Sequence, residues 1–173
     1  MDEKRRLKPI LGSLLIIIAI SAIIYLGFKI FGGKEEAPAV KDLGYLQMEM
    51  IAVPEYTFIE NEKAGELLVV TGNVTNRYDH PRSGIQVKGK LYDATGKVII
   101  VSPTVYCGNM FEDSDLSSLE LKTINERLNN RKGDKNANSG IKSGQKVPFT
   151  VVFSKLPEGI DELTVEVVKS SKQ

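Results

Sequence analysis

Apolar residues fall in two different patterns along this chain. From Ile10 to Phe28, nineteen consecutive residues carry no charge, and most are Leu or Ile. From Tyr45 onward, apolar and polar residues alternate in short runs broken by Gly, Pro, Asn and Asp. At 1.5 Å of rise per residue the first run is roughly 28 Å of helix, about the thickness of a bilayer's hydrocarbon core, so it predicts one transmembrane helix over residues 10–31. The period of two in the rest predicts strands.

The first strand is expected over Tyr45 to Val53, ended by Pro54, with Thr57 to Ile59 continuing it before turn residues from Asn61 to Gly65. Leu67 to Asn76 should be a strand with Leu68, Val70, Gly72 and Val74 on one face and Val69, Thr71, Asn73 and Thr75 on the other. Tyr78 to Ser83 reads as a loop. Gly84 to Asp93 then alternates Ile85, Val87, Gly89 and Leu91 inward against Gln86, Lys88, Lys90 and Tyr92. Asp93-Ala94-Thr95-Gly96 is a hairpin turn, returning through Lys97 to Val101 and Thr104 to Cys107. Two last strands, Lys146 to Ser154 and Glu162 to Lys169, are joined through Pro157-Glu158-Gly159. Val70, Val74, Val87, Leu91, Val151, Phe153, Val165 and Val167 form the expected core.

Between Asn109 and Ser143 the period changes. Leu116, Leu119, Ile124 and Leu128 recur at helical spacing, and Ser117 with Glu120 has the spacing of a capping box, so one helix, or a turn followed by a helix, is expected over Ser114 to Asn130. The stripe is expected to cap an open end of the fold. Gly133 to Gly144 reads as an exposed loop. Seven or so short strands with this one insertion indicate a mainly β fold, an immunoglobulin-like antiparallel β-sandwich.

The order of segments is then a tail (1–9), the span (10–31), a linker (32–44) and a folded domain (45–173). Lys4, Arg5, Arg6 and Lys8 precede the span, and Lys29, Lys34 and Lys41 follow it closely. That bias is slight, but the short tail and long following domain suit a signal anchor with the tail in the cytoplasm and the domain outside, in the bacterial periplasm. Ala37-Pro38-Ala39 keeps a cleaved signal peptide as the rival, although the span is longer than the usual apolar region of one and charged Lys34, Glu35 and Glu36 precede that site. The thirteen-residue linker reaches about 45 Å extended and averages roughly 20 Å as a coil, which keeps the domain near the membrane.

Charge and composition remove several function classes. The first 31 residues hold two acidic and five basic side chains of the 22 and 23 in the chain, which leaves 20 acidic and 18 basic. A net charge near −2 provides no basic face for nucleic acid. One Cys, one His and no Trp exclude a disulfide within the chain and leave too few soft ligands for a zinc site.

The remaining chemistry is sparse. Cys107 reads as a small buried residue at a strand end, with pairing between chains or metal binding as its alternatives. His80, between Asp79 and Pro81, reads as solvated. Asp134, Asn136 and Asn138 are spaced like the start of a calcium loop, but Gly140 is one place late and Gln145 stands where a bidentate Glu is needed. No nucleophile motif joins Ser, His and Asp. Neither cofactor nor metal is expected.

The runs LVVTGNVTNR, IQVKGKLYDATGKVI, CGNMF and KVPFTVVFSKLPEGIDELTVEV together resemble an uncharacterised bacterial domain family. Its members place a β-sandwich after a single transmembrane helix, often with a zinc ribbon upstream. The resemblance covers about Leu67 to Val168 and implies the fold and topology rather than an activity. Leu91-Tyr92-Asp93 is also similar to the FxLYD group of extracytoplasmic domains, except that Gly89 stands where that motif has Phe. The nine residues before the span contain no Cys or His for a ribbon.

Span, tether and lack of site chemistry point to a non-enzymatic, protein-binding or assembly module of a cell-envelope complex. The alternatives are a ligand- or metal-binding sensor and a hydrolase with an unrecognised site. The polar half of the excursion is the expected partner surface, through Arg131, Lys132, Asp134, Lys135, Asn136 and Asn138. A free strand edge is the other candidate.

Overall fold

A computed structural model describes residues 42–50 and 52–173. The expected tail, span and most of the linker lie outside the described residues, and among those described no helix is long and apolar enough to cross a membrane.

Among the described residues eight strands form two antiparallel sheets. β1 (Met48–Glu49), β2 (Glu55–Asn61), β3 (Gly65–Asn76) and β7 (Lys146–Ser154) make the first. β4 (Arg82–Tyr92), β5 (Val98–Val101), β6 (Val105–Tyr106) and β8 (Glu162–Lys172) make the second. β3 is central in the first, with β7 along one edge and β2 and then β1 along the other. β4 is central in the second, between β8 and the pair β5 and β6. Each sheet is therefore three strands wide.

The opening strand differs from the expected one. Among the described residues of the first run the strand is Met48–Glu49, and Glu55 to Asn61 form a separate strand rather than a short continuation. Pro54 has no N–H to give to a ladder, so the edge of β3 is served by two strands in succession.

Val70, Val74, Val151 and Phe153 of the first sheet face Val87, Gly89, Leu91 and Val165 of the second, and all are buried. Val167 is half-buried, packed against the core from its margin. β3 buries its other face too. Leu67 and Val69 are as buried as Leu68 and Val70, so the simple in-and-out reading of this strand fails over its first half.

The cover on that outer face is the excursion. It forms α1 (Asp113–Ser118) and α2 (Leu121–Leu128), separated by Leu119 and Glu120 in extended conformation. The capping box does not form: Glu120 caps without a side-chain bond, and the Ser117 hydroxyl turns back to the Ser114 carbonyl. Leu116, Ile124 and Leu128 are buried in one cluster with Leu67, Val69 and Val152. Asn61 Nδ2 donates to the Leu116 and Leu119 carbonyls, and the Thr150 hydroxyl donates to Met110 Sδ at 3.6 Å. These contacts place the stripe over the outer face of the first sheet, not at an open end. A face carrying Leu67, Val69 and Val152 would otherwise leave three aliphatic side chains in water.

Candidate partner-binding surface

The excursion's polar half is more tightly built than its composition suggests. A short 3-10 turn, Asp134–Asn136, starts after buried Gly133, and Lys135 and Asn136 hold positive φ of 52° and 65°. Asn138 is fully buried. Its Oδ1 accepts from the Ile85 N–H at 3.0 Å, and its Nδ2 donates to the Ile85 carbonyl at 3.0 Å and to the Arg131 carbonyl at 3.2 Å. The amide thus stands in for a missing strand beside β4. Arg82 and Ile141 exchange both backbone bonds a few residues away.

The expected surface is corrected accordingly. Asn138 is a structural residue, and only Arg131, Lys132, Asp134, Lys135 and Asn136 remain exposed. Asp134 Oδ2 accepts from the Met110 N–H at 3.0 Å while Asn138 is turned to Ile85, so the calcium-like spacing does not bring its oxygens together. Among the described residues no three His, Cys, Asp or Glu side chains gather in a metal-sized group.

Cys107 is fully buried, and its backbone N–H donates to the Ile85 carbonyl at 2.9 Å. Burial pushes its thiol well above the usual range, which keeps it protonated and weakly nucleophilic.

His80 is not a freely solvated side chain. Its ring lies 5.3 Å from the Tyr78 ring, its Nδ1 is 2.5 Å from Asp79 Oδ1, and its Nε2 is 3.1 Å from Arg82 Nη1. Arginine only donates, so Nε2 accepts and Nδ1 carries the proton shared with Asp79. The hydrogen bond from His80 holds the Asp79 carboxyl below the usual range.

Arg82 is the largest fully buried side chain, and its role has no local trace in the sequence. Nη1 reaches Asp42 Oδ2 at 2.5 Å, Nη2 reaches Asp42 Oδ1 at 3.3 Å and the Ser170 carbonyl at 3.1 Å, and Nε donates to Ser170 Oγ at 2.9 Å. The guanidinium also lies 4.2 Å over the Tyr78 ring. With His80 accepting the fifth N–H, Arg82 has no donor left for a ligand. The cluster instead fastens Asp42 and Gly44 to β4 and β8. Ser170 Oγ donates to the Gly44 carbonyl, and Gly44 has φ of +78° and so little room that a Cβ would strike the Ser170 backbone. Because both ring nitrogens of His80 are engaged by Asp79 and Arg82, it does not face the Ser170 hydroxyl as a base would.

The opposite side of the domain is where β2 and β8 lie at the open margin of the two sheets. Tyr56 and Phe58 project toward the second sheet, yet they remain 65% and 53% exposed. Their rings meet edge to face at 6.3 Å. With Leu68, Ile160 and Leu163 they line a groove of about 250 Å³, with Asp161 and Glu162 at its lip. Among the described residues β2 pairs with β3 alone, so its other edge carries free N–H and C=O groups. The sequence pattern E-Y-T-F-I-E, apolar or aromatic at every second place, is that of a half-buried strand, and it could not show that the sheets part here.

The profile of one protein family, described as Protein of unknown function (DUF3426), matches residues 48–167. No curated protein and no solved structure matches the chain.

Proposed function

Because the chain belongs to the DUF3426 family, whose description assigns no activity, we propose its function from its own surface: a membrane-anchored protein-binding module that helps assemble a cell-envelope complex. In this reading residues 10–31 are retained as the single inner-membrane span, the tail is cytoplasmic, and an immunoglobulin-like sandwich is displayed on the periplasmic side. The observation that carries it is the exposed Tyr56 and Phe58 pair on the unpaired edge of β2. A large aromatic ring covers 150–250 Å² when buried, so hiding the exposed half of each ring would contribute about 2 kcal/mol apiece. The fastening of Asp42 and Gly44 to Arg82 and Ser170 supports the same reading, since it fixes where the tether enters the domain.

The test is a photo-crosslinking residue placed in cells at Tyr56, Phe58 or, as control, Thr95 in the hairpin turn. Adducts from positions 56 and 58 and none from 95 are expected; no adduct from either aromatic position would refute a partner at this surface. Protease added to spheroplasts should digest the domain, and full protection would reverse the topology.

A further inference from the structure

We propose that the partner contributes an extended segment that adds to the free edge of β2 as a further strand, with alternate apolar side chains in the Tyr56 and Phe58 groove and Lys or Arg opposite its acidic lip. The inference rests on the protein-binding reading above and gives that partner its chemistry.

Three features of the edge select this occupant. Tyr56, Phe58 and Glu60 share one face of β2, so a strand laid alongside presents every second side chain to the same groove. The edge offers backbone groups over seven residues, and main-chain pairing of this kind provides affinity while the alternate pockets provide selectivity.

Charge decides the rest. Glu55, Glu60, Asp161 and Glu162 have no ion-pair partner among the described residues, whereas Glu49, Asp115 and Glu166 are each paired with Arg or Lys. Glu60 also sits directly across from Glu66 in the β2 and β3 register, a like-charge pairing that a nearby cation would relieve. No Lys or Arg lines the groove. A second copy of the chain is a poor occupant, because it would bring a second set of the same carboxylates, Glu55, Glu60, Asp161 and Glu162, to one seam with no Lys or Arg in the groove to meet them. An anionic lipid surface is repelled by the same carboxylates.

Random peptides of about twelve residues, displayed on phage, are selected on the intact chain in nanodiscs after depletion on empty nanodiscs and on the Y56S/F58S chain; that length covers β2 with its flanks. Enriched peptides should alternate apolar residues with Lys or Arg. Methylating their backbone nitrogens at alternate positions should lower affinity at least about tenfold in one register and less than about twofold in the other, because only one set of amides faces β2. Glu60→Gln with Asp161→Asn, and higher salt, should each weaken binding severalfold with the circular dichroism unchanged.

No enrichment, enrichment without cations, or equal response to methylation in both registers would overturn strand addition. A dimer in light scattering that Phe58→Ser dissolves would assign the edge to a second copy and overturn it as well. Crosslinks from positions 56 and 58 that persist alongside any of these failures leave the protein-binding reading standing; loss of both removes both.

Discussion

Gly89 of β4 and Phe153 of β7 share one site across the two sheets: a Cβ built on Gly89 would lie 2.6 Å from Phe153 Cζ and 3.1 Å from Val151 Cγ1. Within the first sheet Gly72 likewise leaves room for the ring of Phe149, its partner in the β3 and β7 register, where a Cβ would lie 2.7 Å from that ring. The absent side chains on the central strands thus make room at these two places for rings sent from β7. Gly89 is thus complementary to a Phe supplied from the facing sheet.

Gly89→Ala should therefore destabilise the domain by about 1 to 3 kcal/mol, the usual range for overpacking. Combined with Phe153→Leu, the loss should be smaller than the sum of the two single losses, because the leucine vacates the space the new methyl needs. Strictly additive losses in denaturant melts would show that the two residues do not compete.

Truncating Phe153 to Ala should cost about 3 to 5 kcal/mol, since the ring is buried between the two sheets. A loss under about 1 kcal/mol would mean that the ring does not occupy the interface between the sheets.

Asn138→Ala should cost about 2 to 4 kcal/mol, because it leaves the buried Ile85 N–H without the amide oxygen it donates to and the Ile85 carbonyl with one donor fewer. Lys135→Ala, three residues away and exposed, should change stability by less than about 0.5 kcal/mol. Equal effects at 135 and 138 in chemical denaturation would contradict the structural role given to the amide.

The same pair shows where reading the chain succeeds and where it stops. Alternation and turn residues locate β3, β4, β7 and β8 within a few residues, because a strand's face and its ends are properties of consecutive positions. Asn138 is invisible to that reasoning. Its segment holds only Ala137 and Ile141 as apolar residues, so low hydrophobicity predicts an exposed loop, but the segment is ordered by hydrogen bonds to β4 rather than by apolar burial. The Arg82 cluster fails to show for another reason. Its members stand at 42, 78, 80, 82 and 170, and only the closed fold brings them together. The groove beside β2 lies between these cases: its aromatic residues are plain in the sequence, but their exposure depends on how far apart β2 and β8 sit.

Cys107 should resist thiol reagents in the folded protein and react once it is unfolded. Its folded pKa lies above the unfolded value, so the stability it contributes is complete below the unfolded pKa of about 8.5 and is lost as pH rises beyond it. The slope from one such group is at most about 1.4 kcal/mol per pH unit. Cys107→Ala should remove that part of the alkaline decline; rapid labelling of the native protein would contradict burial.

The fastening of Asp42 and Gly44 to the sheets should fail in acid. The Arg82 hydrogen bond, with the Gly44 N–H and the Arg82 charge adding to it, holds the Asp42 carboxyl below the usual carboxylate range. A depressed folded pKa means that the contribution is present above the unfolded pKa, near 3.9, and is lost as pH falls through the lower folded value. Asp42 Oδ1 accepts from the Gly44 N–H at 2.8 Å, so that amide reports the state of the clamp. Its hydrogen-exchange protection, corrected for the intrinsic pH dependence, should be steady from neutral pH to about pH 4 and then decline, while the amides of β3 and β4 stay protected. Asp42→Asn should lower Gly44 protection at neutral pH and flatten its acid dependence, because the amide keeps the shape but not the charge that the buried guanidinium requires. Protection of Gly44 that is unchanged by this substitution would show that the Ser170 bond alone holds Gly44 in place and that the ion pair with Arg82 is dispensable.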